Sequence, residues 1–78
     1  MEMKPVESTN IIEAGYDAES TRLGVRFKGG VLYHYLDVPE KVANEFFESP
    51  SKGSYLAAAI KPNFKVQRIV EKKDDSES

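Results

Sequence analysis

The chain has 78 residues, a formal net charge of −2 at pH 7, and neither cysteine nor tryptophan. This length fits one domain with a modest core, and the lack of cysteine excludes disulfides, thiolate catalysis and cysteine-type zinc sites. No apolar run approaches the roughly 18 residues of a membrane span, and the first residues lack the apolar segment of a signal peptide. We therefore expect a cytoplasmic protein.

Charges are segregated along the sequence. Residues 1–20 hold five acids and one lysine, and residues 37–48 hold four acids and one lysine. By contrast, residues 21–36 and 49–70 contain basic residues and no acid. These two basic segments predict either one basic patch or scattered solvated charges. Residues 71–78 contain no apolar side chain, so we expect a single domain at 1–70 followed by a disordered charged tail.

The first half of the chain predicts a meander of three antiparallel strands, at 8–17, 21–28 and 31–38. With a period of two, the first strand places three apolar side chains on one face: Ile12, Ala14 and Tyr16. The second strand alternates most cleanly. The pair Gly29-Gly30 after it supplies the positive φ values that a tight hairpin needs.

Two short helices and a last strand are predicted in the second half. Pro39 fits the first turn of a helix, where its missing N–H is not needed, and this helix ends before Pro50. Ser51 is predicted to cap a second helix, and residues 64–70 form the last strand. The fold class is therefore α+β: an antiparallel sheet of three or four strands with two short helices on one face, in the order βββααβ.

Several short motifs follow one another along the chain: Gly29-Gly30, Tyr33-His34-Tyr35, Asp37-Val38-Pro39, Ser51-Lys52-Gly53-Ser54-Tyr55 and Ile60-Lys61. In this order and spacing they resemble the KTSC domain family, small bacterial domains named for the C-terminal region of some lysyl-tRNA synthetases. The resemblance covers residues 8–70. It implies structural roles for seven motif residues: Gly29, Gly30, Pro39, Ser51, Gly53, Tyr55 and Ile60. The family is usually described as of unknown function, with RNA binding proposed because of its association with the synthetase.

The register of the glycine hairpin decides whether Tyr33 and Tyr35 bind a ligand or pack in the core. With a two-residue loop, both rings share a face with Arg26 and Lys28, and unpaired bases can stack on such a basic-aromatic surface. With a three-residue loop centred on Gly30, both rings join the core instead. The sequence leaves both registers open.

Other candidate sites are weaker. The run Ser51-Lys52-Gly53-Ser54 lacks the full phosphate-binding loop pattern, although a helix N-terminus with a lysine can hold an anion. The alternative is that Ser51 caps the helix and Gly53 allows close packing. No metal-ligating residues lie at a suitable spacing from His34, and the sequence offers no nucleophilic side chain that His34 could activate as a base. We therefore expect no enzyme activity, no metal and no cofactor.

The leading hypothesis is a monomeric, non-catalytic module that binds RNA, either tRNA or another structured or single-stranded RNA. Tyr33 and Tyr35 would stack bases, and four cations would contact phosphates: Arg26, Lys28, Lys52 and Lys61. The alternative hypothesis is a protein-interaction module that uses exposed aromatic residues or an open sheet edge. Salt dependence separates the two, because only RNA binding releases counterions steeply.

Overall fold

The structure is a computed structural model that describes residues 1–70. Five strands form one antiparallel sheet in sequence order: β1 (Lys4–Pro5), β2 (Ile11–Asp17), β3 (Arg22–Phe27), β4 (Leu32–Tyr35) and β5 (Val66–Ile69). Between β4 and β5 lie α1 (Glu40–Glu48) and α2 (Lys52–Tyr55), and α2 continues as a π-helical turn over Leu56–Ile60. The α+β class is confirmed, and the structure adds the two-residue β1. The predicted disordered tail lies outside the described residues.

Both helices pack on one face of the sheet and form the core there. The buried set draws on β2, β3, β4, the β4–α1 connection and the helical segment: Ile11, Ala14, Leu23, Val25, Tyr35, Val38, Ala43, Phe46, Leu56 and Ile60. Two hydrogen bonds hold the helical layer in place. The Tyr16 hydroxyl donates to the Val38 carbonyl oxygen at 2.6 Å, and the Tyr55 hydroxyl donates to Glu45 Oε1 at 2.8 Å, which joins α2 to α1.

A β-bulge in β2 changes which isoleucine is buried. Ile11 pairs with Phe27 and Glu13 pairs with Arg26, so Ile12 is an extra residue in β2. Because of this insertion, Ile11 faces the core and is 1 % exposed, whereas Ile12 is 42 % exposed. The prediction that Ile12 shares the inward face was therefore wrong, since strict alternation fails at a bulge.

The glycine hairpin has a three-residue loop centred on Gly29. The Phe27 N–H donates to the Val31 carbonyl oxygen at 2.9 Å, and Gly29 and Gly30 both have positive φ values, of 100° and 92°. Within the hairpin, Val25 pairs with Tyr33 and Leu23 with Tyr35. This register is neither of the two considered from the sequence, although its consequence matches the three-residue alternative. Both tyrosines lie on the helix-covered face.

Candidate nucleic-acid interface

The structure separates the tyrosines from Arg26. Tyr35 is only 3 % exposed, so its ring is part of the core and offers no face to a base. Arg26 lies on the opposite, outer face of the sheet. There its Nε donates to Glu13 Oε2 at 2.8 Å and its guanidinium donates to the Gly30 carbonyl oxygen at 3.0 Å. A stacking platform that combines both tyrosines with Arg26 is therefore not formed, because the hairpin register places them on different faces.

The first three residues cover part of the outer face. A Cβ atom at Gly15 would collide with the Glu2 carbonyl oxygen, and one at Gly24 would lie 2.6 Å from Met1 Sδ. These two glycines pair with each other across β2 and β3, and their lack of side chains makes room for the N-terminal segment. The outer face is thus partly covered.

His34 lies on this outer face beside Gly24 and near Arg22, with 3.4 Å between the Arg22 guanidinium and His34 Nδ1. Burial lowers the pKa of His34 below 6.5, and the positive charges of Arg22 and the amino terminus lower it further. Among residues 1–70, no group of three or more carboxylates and histidines is placed to hold a metal ion.

The lowered pKa of His34 predicts an acid-sensitive fold. The unfolded chain binds a proton at His34 more readily than the folded chain does, so stability rises with pH between the folded-state pKa and 6.5. We expect the free energy of unfolding to fall as the pH drops below about 6.5. Urea unfolding at several pH values, compared between the natural chain and His34→Gln, measures this. An equal decrease in both proteins over that window would contradict it.

A different basic-aromatic surface exists at the β5 side of the helix-covered face. The rings of Phe27 and Tyr33 meet edge to face with centroids 5.6 Å apart, and both side chains are partly exposed. Lys61 Nζ lies 5.5 Å from the centroid of the Phe27 ring, within the range of a cation–π contact. Arg68 is exposed and pairs directly with Tyr33 across β4 and β5, so the two side chains share a face. We call these four residues the basic-aromatic edge.

A polar groove lies between the β1–β2 loop and the start of α2. Its volume is about 450 Å³, and its lining is mostly polar: Glu7, Ser8, Thr9, Asn10, Pro50, Ser51, Lys52, Gly53, Ser54 and Ala57. Lys52 Nζ donates to the Ser49 carbonyl oxygen at 3.0 Å, and the Lys28 N–H donates to the Asn10 carbonyl oxygen at 2.8 Å. Of the predicted phosphate contacts, Lys52 lines the groove. The backbone N–H of Lys28, a second predicted contact, is hydrogen-bonded to Asn10, which also lines the groove.

Two predicted roles in the α2 motif differ in the structure. Ser51 stands directly before α2, as predicted, but within the described residues its hydroxyl makes no capping hydrogen bond. A Cβ atom at Gly53 would lie 3.5 Å from the Ser8 hydroxyl, an ordinary contact distance. Gly53 therefore faces the β1–β2 loop, and a Cβ atom there would meet no closer neighbour, so the alternative of close packing at Gly53 is not seen.

Sequence reasoning missed two members of the basic-aromatic edge. Neither Phe27 nor Arg68 was among the residues that the sequence suggested as RNA contacts. The spacing of Arg68 in its strand gives no sign that it pairs with Tyr33. That neighbour depends on how β5 joins the sheet after two helices.

A family model for the KTSC domain matches residues 7–64. The chain belongs to the KTSC domain family. The crystal structure of a KTSC domain protein from Yersinia pestis superposes with a TM-score of 0.83 at 34 % identity, covering 88 % of this chain and 97 % of that one.

KTSC relatives occur both as small proteins and within a larger one. A protein from Tsukamurella paurometabola is 40 % identical over 63 residues, which cover 81 % of this chain and 94 % of the relative. A lysine–tRNA ligase from Trichormus variabilis is 36 % identical over 67 residues, 86 % of this chain but only 12 % of the ligase. The KTSC domain is thus a small fraction of that enzyme. No helix within residues 1–70 is long and apolar enough to cross a membrane.

Proposed function

We propose that this KTSC domain is a non-catalytic RNA-binding module that holds unpaired nucleotides at the basic-aromatic edge. The observation that carries the proposal is the contact of Lys61 with the Phe27 ring of the partly exposed Phe27–Tyr33 pair, with Arg68 paired to Tyr33 across the strands. Aromatic rings stack on bases of any sequence, and neighbouring cations hold the phosphates between them. This arrangement replaces the platform on Tyr33, Tyr35 and Arg26 that the sequence suggested.

The charge distribution supports this surface. Lys61, Lys65 and Arg68 belong to the segment 49–70, which contains no acidic residue, and all three are exposed. Local positive potential can attract a polyanion even though the whole chain has a net charge of −2. The similarity to a region of a lysine–tRNA ligase makes tRNA the first RNA to examine.

A backbone amide NMR titration with tRNA and with a short single-stranded RNA tests the proposal. We expect shifts to cluster at residues 27–33 and 61–68 and to fade as salt rises, because each neutralised phosphate releases counterions. Residues 41–48 of α1 contain two acidic residues and one lysine, so they serve as the internal reference. An absence of shifts at low salt, or shifts that persist at high salt, would refute the RNA proposal and favour a protein partner.

A further inference from the structure

The two edges of the sheet differ in how they can pair. The β1 edge is two residues long and consists of Lys4 and Pro5, and proline has no N–H to offer a neighbouring strand. The β5 edge contains no proline, and no strand among residues 1–70 pairs with its outer side. Two apolar side chains near that edge are unusually exposed, Val66 at 50 % and Val70 at 85 %.

The direction of the free backbone groups in β5 follows from one hydrogen bond. The Leu36 N–H donates to the Lys65 carbonyl oxygen at 2.8 Å, and the β4–β5 register places these two residues opposite each other. Since hydrogen-bonded and non-bonded pairs alternate along an antiparallel ladder, Gln67 directs its N–H and C=O toward β4. Val66 and Arg68 then direct theirs toward the open edge.

We propose that the β5 edge pairs with β5 of a second copy of this chain, antiparallel and with Gln67 opposite Gln67. In this register Val66 and Arg68 of the two copies exchange both backbone hydrogen bonds, and Phe64 lies opposite Val70. Two neighbouring self-complementary registers exist. The one centred on Arg68 places like charges directly opposite each other and is disfavoured. The one centred on Val66 places Val70 opposite Pro62, in the turn before β5, and so leaves Val70 without a strand partner. The pairing thus covers the exposed Val70 and keeps the two Arg68 side chains diagonal. It differs from the monomer expected from the sequence.

The second copy also completes a larger site. Arg68 shares the helix-covered face with Tyr33, and a two-fold axis perpendicular to the sheet keeps the faces of both copies on the same side. The dimer therefore joins two basic-aromatic edges into one continuous surface. This consequence rests on the proposed function, whereas the strand pairing does not. Because four residues form β5, the buried area is small and the dimer is expected to be weak.

Single cysteines test the register, since the chain has no cysteine of its own. In the proposed dimer Gln67 faces its counterpart as a non-hydrogen-bonded pair, with Cα atoms about 4.5 Å apart, which suits a disulfide. We expect Gln67→Cys to form a disulfide dimer rapidly on mild oxidation without RNA. Ile69→Cys, only two residues away in the same strand, should do so at least about tenfold more slowly, because its counterpart would lie four residues along the ladder. Equal rates would refute the register.

Sedimentation of the protein without introduced cysteine tests the pairing itself. We expect a reversible monomer–dimer equilibrium up to about 1 mM, the range in which weak interfaces become populated. Val66→Pro removes an outward N–H and should abolish the dimer, while Val66→Thr retains it. A monomer at every concentration, or a dimer unaffected by Val66→Pro, would overturn the proposal. RNA titrations of the monomeric variant then test the proposed function separately.

Discussion

Replacement of Ile11 by alanine is expected to lower the free energy of unfolding by about 2–5 kcal/mol. The Ile11 side chain is 1 % exposed and belongs to the core between the sheet and the helices. Its truncation removes buried apolar surface and leaves a cavity that the surrounding side chains fill only in part. For a domain of this size such a loss is a large share of the total stability.

The adjacent Ile12 provides a matched control. It has the same side chain one position along the strand, but it is 42 % exposed because of the bulge. Ile12→Ala should therefore change the stability by no more than about 0.5 kcal/mol. Urea unfolding followed by far-ultraviolet circular dichroism measures both variants. Similar losses for the two variants, or a larger loss for Ile12→Ala, would show that the bulge is not at this position.

Reversal of two charges on the basic-aromatic edge is expected to weaken RNA binding by roughly 100-fold at low salt. Lys61→Glu and Arg68→Glu together remove two phosphate contacts, each of which contributes about 1.5 kcal/mol as a hydrogen bond to a charged group. The salt dependence should change as well. For single-stranded RNA the slope of log K against log salt should become shallower by about 1.4, since two cations no longer displace counterions.

The double variant Lys4→Glu with Lys41→Glu is the matched control for this measurement. It changes the net charge by the same amount, and both lysines are exposed at sites away from the basic-aromatic edge, on β1 and α1. Fluorescence anisotropy with a labelled RNA at several salt concentrations compares the two variants. Equal losses of affinity would mean that RNA responds to net charge alone, and retained affinity in the Lys61/Arg68 variant would place the site elsewhere.

Local sequence patterns predicted the elements of this fold well. Each of three elements was predicted from residues that are adjacent in the sequence. The alternation in residues 21–28 indicates a strand, the glycine pair after it indicates a turn, and two prolines mark the ends of α1. The bulge at Ile12 was not predictable in the same way. Two adjacent isoleucines satisfy either alternation, and only the pairing with β3 decides which one is buried.

The candidate site was less predictable than the fold because it depends on pairing between distant segments. A shift of the hairpin loop by one position in either direction determines whether Tyr33 and Tyr35 share a face with Arg26, and the residues of the loop permit several choices. Arg68 reaches Tyr33 only because β5 returns to the sheet beside β4. Lys61 was proposed as a phosphate contact from its charge, but its position over the Phe27 ring had no signal in the sequence.

The unequal edges of the sheet limit how far copies of the domain can assemble through their strands. Fibrous growth by strand addition needs two receptive edges on each molecule, one to join the stack and one to receive the next molecule. Here β1 is only two residues long and contains Pro5, so this edge of the sheet is a poor acceptor for another strand. Two molecules that pair through β5 therefore have only their β1 edges left for further copies. A chain with an exposed valine-bearing strand is thereby protected from open-ended polymerisation.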